Sequence, residues 1–325
     1  MYNFDEFVIR AKYELEKELR YQYPKARVSI MRSRKVNHEM IGLKCDDLSR
    51  DPISPTLYME SIYQTYLEHG NMNAVISRAT EAIDEAMQKS RYVMNKINDF
   101  ENVESDIIFQ LIHTEQNKEL LETMPHRNFM NMSIIYRCVL DISEEGILSA
   151  PIDNSFARRF GLEEEKLYEL AYENTRYVMR PVVLSVEDVI RRMSGSLDID
   201  DEKLEEMLSN PKWKLYALTN ESQNWGAASV LYKGKLQSLA ERLGSDLYMI
   251  PSSVHEMLIT EANPELLETI ENTIFEVNQT MALEDRLSND VYMYDRKTNS
   301  ITQVTDSSYK LLDGEPTEGM RMEMC

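Results

Sequence analysis

Two short segments concentrate the groups that could do chemistry, TNESQNWGAA (219–228) and MIPSSVHEMLI (249–259). The first gathers the amide and hydroxyl side chains of Asn220, Ser222, Gln223 and Asn224 beside Trp225, at what reads as a hairpin tip. The second sets Ser252, Ser253, His255 and Glu256 at the start of a predicted strand. Serine, histidine and carboxylate are the parts of a nucleophilic triad, with His255 as general base. Strand alternation opposes the local version. His255 and Glu256 would point to opposite faces, and Ser253, although on the face of His255, would lie ~7 Å away along the strand. A carboxylate from elsewhere would be needed, and the sequence names none. The structural reading is that His255 shares a face with Met257 and Ile259 and is held half-buried by hydrogen bonds to the 219–226 loop. Pro251-Ser252-Ser253 then supplies turn chemistry.

Other chemistries lack their residues. There is no phosphate-binding glycine loop, and Gly234-Lys235 has no upstream glycine of the required spacing. No G-x-S-x-G elbow occurs. DIDDE (198–202) lacks the glycine and the twelfth-position glutamate of a calcium loop. His38-Glu39 and His255-Glu256 have no second histidine one helical turn on, so no metal site and no cofactor are expected.

The elements that must position these residues follow from periodicity. Phe4, Phe7, Val8, Ala11, Leu15 and Leu19 form one helical stripe, with Asn3 and Glu6 as a capping box and Tyr2 placed to staple against Phe7. Strands are predicted at 27–32 and 40–46 around a turn at Asn37-His38, and at 53–59. A long helix spans 72–98, and strands follow near 106–112 and 132–140. The tyrosines Tyr58, Tyr63 and Tyr66 could line a groove or rim a core. Residues 152–209 read as mainly helical, with a capping box at Ser185 and Asp188. The last third reads β-β-α-β-β-α-β-β, with strands near 214–219, 227–232, 246–250, 254–259, 291–296 and 301–304. Its helices are 235–243, ending at Gly244, and one opening at Asn263-Pro264. The fold class is therefore α+β. An N-terminal α/β unit (1–149) leads through a helical connector (150–210) to an antiparallel α+β domain (211–305) with helices on one face, and then to a mobile tail (306–325).

Composition bounds the setting. The net charge of −20 repels nucleic-acid phosphate and anionic lipid, so neither is an expected partner. Residues 10 to 35 are the local exception, with nine bases against three acids, read as a solvated face that pairs with acids rather than a phosphate site. Three scattered cysteines make no disulfide framework, the N-terminus has no signal-peptide pattern, and no apolar run would span a bilayer. The expected compartment is the cytoplasm.

The chain resembles an uncharacterised bacterial family, domain of unknown function 5688. The likeness rests on ISPTLYMESIYQTY (53–66), PHRNFMNMSIIYRCVL (125–140), LTN-x-x-x-N-x-GAA-x-x-LY (218–232), LGSDLYMIPSSVHEMLI (243–259) and EVNQ…LSNDVYMYD (276–295). It implies a bacterial cytosolic protein and carries no activity, substrate or catalytic residue. The leading expectation is a non-enzymatic binding or regulatory protein with an unknown protein or small-molecule partner. Its surface would comprise Asn220, Asn224, Trp225, Ser252, Ser253, His255 and Glu256. The alternative is a hydrolase or transferase using His255 with Ser252 or Ser253. A third reading is a nucleic-acid-associated or nucleic-acid-mimicking protein.

Overall fold

The computed structural model describes residues 1–48, 54–143, 146–185, 214–251 and 253–305. The chain forms two compact units, one of Met1–Asp106 with Val139–Leu148, the other of Ile107–Cys138 with Ser149–Cys325.

In the first unit, helix α1 (Phe4–Gln22) begins at the expected capping box, Asn3 accepting from the Glu6 amide at 2.9 Å. Its buried stripe of Phe7, Val8, Ala11, Leu15 and Leu19 packs in one core with Leu43, Cys45, Val75 and Ile83. Leu43 and Cys45 lie on β2 (His38–Asp46), which pairs antiparallel with β1 (Arg27–Lys35) and β3 (Thr56–Tyr58); Val75 and Ile83 lie on α3 (Met72–Ile97), which follows α2 (Met59–His69). The hairpin turns at Val36-Asn37, one residue earlier than predicted, because Asn37 takes the positive φ of 64°. Tyr63 and Tyr66 pack their rings 5.1 and 4.9 Å from Phe7, as core rim and not groove. Tyr2 stacks on Tyr66. The basic stretch pairs with acids, Arg10 with Glu14, Arg20 with Glu16, Arg27 with Asp47 and Arg32 with Glu39. Cys45 is fully buried, and burial, with Asp46 nearby, pushes its thiol up to about 12.

A second sheet runs β4-β6-β5, from β4 (Ile107–His113), β5 (His126–Phe129) and β6 (Met132–Ser143), with β7 (Gly146–Pro151) also paired to β6. Short helix α4 (Lys118–Leu121) lies between β4 and β5, and α5 (Asn154–Phe160) and α6 (Glu164–Val178) follow β7. All of β4 is buried, so both sheet faces are covered.

The third sheet has six antiparallel strands in the order β13-β12-β10-β11-β9-β8. They are β8 (Pro181–Ser185), β9 (Tyr216–Asn220), β10 (Leu247–Ile250), β11 (Met257–Glu261), β12 (Tyr292–Asp295) and β13 (Ser300–Gln303), with helices α7 (Lys233–Leu243) and α8 (Leu267–Thr280). Three expectations change here. Residues 226–231 form a buried 3₁₀ helix, not a strand; a short apolar run enclosed on all sides has no period to distinguish the two. Its place beside β9 is taken by β8, which lies in the stretch read as helical. The helices cover both faces instead of one. Tyr248 and Ile250 pack on Ile270 and Ile274 of α8, while Tyr216, whose register puts it on the face of Met249, carries Arg242 of α7 over its ring at 5.4 Å. The Asp188 half of the predicted capping box, the 194–202 loop, the whole of the connector beyond Ser185 and the tail from 306 lie outside the described residues.

Candidate functional site

Strand β9 ends in the first chemical segment, and there the chain folds back into the 3₁₀ helix Gly226–Leu231. The 219–226 segment is thus a strand-to-helix turn, not a hairpin tip. Gln223 and Trp225 adopt positive φ values of 55° and 51°. A Cβ on Gly226 would meet Thr219 Oγ1 at 2.1 Å and the His255 carbonyl oxygen at 2.4 Å, so only glycine fits. Asn220 is 2% exposed. Its amide nitrogen donates to the Asn224 carbonyl at 2.7 Å, and its oxygen accepts from Ser222 at 2.8 Å. It is therefore an internal tie and not a surface group. Asn224 and Trp225 stay partly exposed.

The second segment is a bend, because β11 begins only at Met257. His255 and Glu256 therefore do not alternate as strand neighbours. Ser252 lies outside the described residues. Ser253 is buried; its Oγ accepts from the His255 amide at 2.9 Å and also bonds the Glu256 carboxylate. The His255 ring spans two segments. Its Nε2 sits 3.0 Å from Asp285 Oδ1, and its Nδ1 accepts from the Trp225 amide at 3.4 Å. That network assigns the proton to Nε2. Asp285 is the carboxylate the sequence did not name, thirty residues away on a 3₁₀ turn. With the Nδ1 lone pair taken by a backbone amide, the imidazole works as a clamp. Burial raises the Glu256 carboxyl above its ordinary value and Asp285 adds to it, against His255 and Ser253.

Trp225 leads to a residue that spacing did not reveal. The Arg137 guanidinium of β6 lies 4.5 Å from the centre of the indole. It donates to Ser149 Oγ at 2.9 Å, to the Ser149 carbonyl at 3.4 Å and to Gln110 Oε1 at 3.3 Å. Burial alone pushes its pKa down to about 10.

On the opposite face of β4 and β6 lies a cleft of about 590 Å³. Tyr168 and Tyr172, one turn apart on α6, form one wall; Tyr232, Gly234, Lys235 and Ser238 at the start of α7 form the other. The Tyr172 and Tyr232 rings are 5.0 Å apart, and the Tyr232 hydroxyl donates to the Tyr172 carbonyl at 2.7 Å. Phe109 backs both walls, 6.4 Å from Tyr168 and 5.9 Å from Tyr232. Arg127 stacks on Tyr168 at 4.0 Å and grips Glu164 through Nε and Nη2 at 3.0 and 2.8 Å. Burial raises the hydroxyl pKa of both Tyr168 and Tyr232. The signal in the sequence was the Tyr168/Tyr172 pair at helical spacing, but its partner wall lies sixty residues on. No group of three or more histidine, cysteine or acidic side chains that could hold a metal ion occurs among the described residues.

The profile of a family described as "Family of unknown function (DUF5688)" matches residues 4–296. The chain belongs to this family. No curated protein and no solved structure matches it. The match to DUF5688 takes in the turn, the histidine clamp, Arg137 and both walls of the tyrosine cleft. No helix among the described residues is long and apolar enough to cross a membrane.

Proposed function

We propose that this DUF5688 protein is a non-enzymatic binding protein of the bacterial cytoplasm, whose small-molecule ligand is a flat ring carrying an anionic group. The observation that carries the reading is the tyrosine cleft, whose volume of about 590 Å³ suits a small molecule. Tyrosine faces and edges take a ring, and the exposed Lys235 takes the negative charge. The cluster of Asn220, Asn224, Trp225, Ser253, His255 and Glu256 enters as a frame that holds neighbouring surface in shape. A hydrolase working through Ser253 and His255 has little support, because Ser253 Oγ and both ring nitrogens are engaged within the chain. Ser252 keeps that alternative testable. The net charge of −20 supports no nucleic-acid partner.

Saturation-transfer NMR against a panel of aromatic carboxylates and nucleoside monophosphates tests the proposal. Binding should be seen in wild type and weaken about tenfold in Lys235→Ala, as expected for a lost charge-assisted contact. Transfer from no member of the panel, or transfer unchanged in Lys235→Ala and Tyr172→Ala alike, would overturn it. Serine-directed labelling at Ser252 by a fluorophosphonate would instead revive the hydrolase.

A further inference from the structure

Two arginines of one sheet solve the same physical problem differently. A guanidinium cannot shed its charge, so taking it out of water requires compensation, ordinarily a carboxylate. Arg127 on β5 has two, those of Glu164 and Glu165. Arg137 on β6 is mostly buried, and among the described residues none of its contacts is acidic. Its partners are a serine hydroxyl, a backbone carbonyl, a glutamine oxygen and the face of Trp225. Every one of these is neutral. They fix the plane of the fork without cancelling its charge, and among the described residues their three hydrogen bonds account for three of its five N–H groups. Trp225 itself is held in a positive-φ conformation, with its amide tied to the His255 ring. The indole that braces the guanidinium is thereby preorganised from the other side.

We propose that Arg137, braced by Trp225, Gln110 and Ser149, is the anchor of a second binding site that takes the carboxylate of a small molecule. The site lies on the other face of β4 and β6 from the tyrosine cleft and does not depend on it. Arg137 and Gln110 share one face by register, whereas Phe109 and Tyr136 point to α6. A planar carboxylate can accept from two parallel guanidinium N–H groups at once.

The test reads the arginine directly in the folded wild-type chain. Acetate is titrated while the Nε–H resonance of Arg137, assigned by its disappearance in Arg137→Lys, is followed by ¹H–¹⁵N NMR. A saturable shift is expected, and it should persist in Lys235→Ala. No movement, or movement lost in Lys235→Ala, would overturn the proposal. Thermal unfolding adds a second arm. Arg137→Met should match or exceed the wild-type midpoint without anion and lose the acetate-dependent rise that ligand linkage produces. A midpoint well below wild type, together with an acetate response equal in the two proteins, would make the guanidinium a structural tie only.

Discussion

The turn around His255 and the tyrosine cleft are opposites. In the turn the groups suited to chemistry are consumed by the chain itself: Asn220 by Ser222 and Asn224, Ser253 by the His255 amide, His255 by Trp225 and Asp285. In the cleft the aromatic faces and Lys235 border open volume. Residue types suited to catalysis marked the first region, and ordinary helix and loop residues built the second. The difference teaches that reactivity depends on what is left unbonded, and composition does not record that. A buried polar group with its partners made is a structural element, whatever chemistry its side chain performs elsewhere.

Substitutions can break this comparison in order of effect. Gly226→Ala should cost more than about 3 kcal/mol in urea unfolding, because the added methyl overlaps backbone and hydroxyl that cannot both retreat. A loss under about 1 kcal/mol would mean the turn is loose enough to be a binding loop. His255→Ala and Asp285→Asn should each cost roughly 1–2 kcal/mol, with the double variant costing less than the sum, since they share one hydrogen bond. Additive losses would separate the two residues and reopen a role for the imidazole.

A smaller effect tests the electrostatics. Glu256 holds its proton more tightly folded than unfolded, so its contribution is fully present below the ordinary carboxylate value of 4.5 and is lost as pH rises through the raised folded value. Glu256→Gln should therefore be at least as stable as wild type at neutral pH and show a flatter decline above pH 4.5. Chemical denaturation across that range decides it, and a variant that steepens the decline would refute the burial account. Lys235→Ala sits at the bottom of the scale. It should change stability by less than about 0.5 kcal/mol, leaving its effect confined to ligand.

Local signals were legible where they were strong. The Asn3/Glu6 box, the close of α7 at Gly244, the Asn263-Pro264 start and the final hairpin all stand where spacing put them. What spacing could not carry was pairing at a distance. The AASVL run looked like a strand because burial on every side erases periodicity, and PVVL after a helix gave no sign that it would pair with β9. Asp285 was invisible as a histidine partner because thirty residues separate the two. That no acid among the described residues contacts Arg137 is a tertiary fact with no signature in sequence.

The cysteines carry a practical consequence. Cys45 is sealed in the core of the first unit, and Cys138 is 1% exposed in the second. A thiol reacts as thiolate, so neither can be alkylated until its own sheet opens. Pulsed labelling of the intact protein, with the modified cysteine identified by peptide mass, thus times the opening of the two sheets separately. It would show whether a ligand that tightens one sheet is felt in the other.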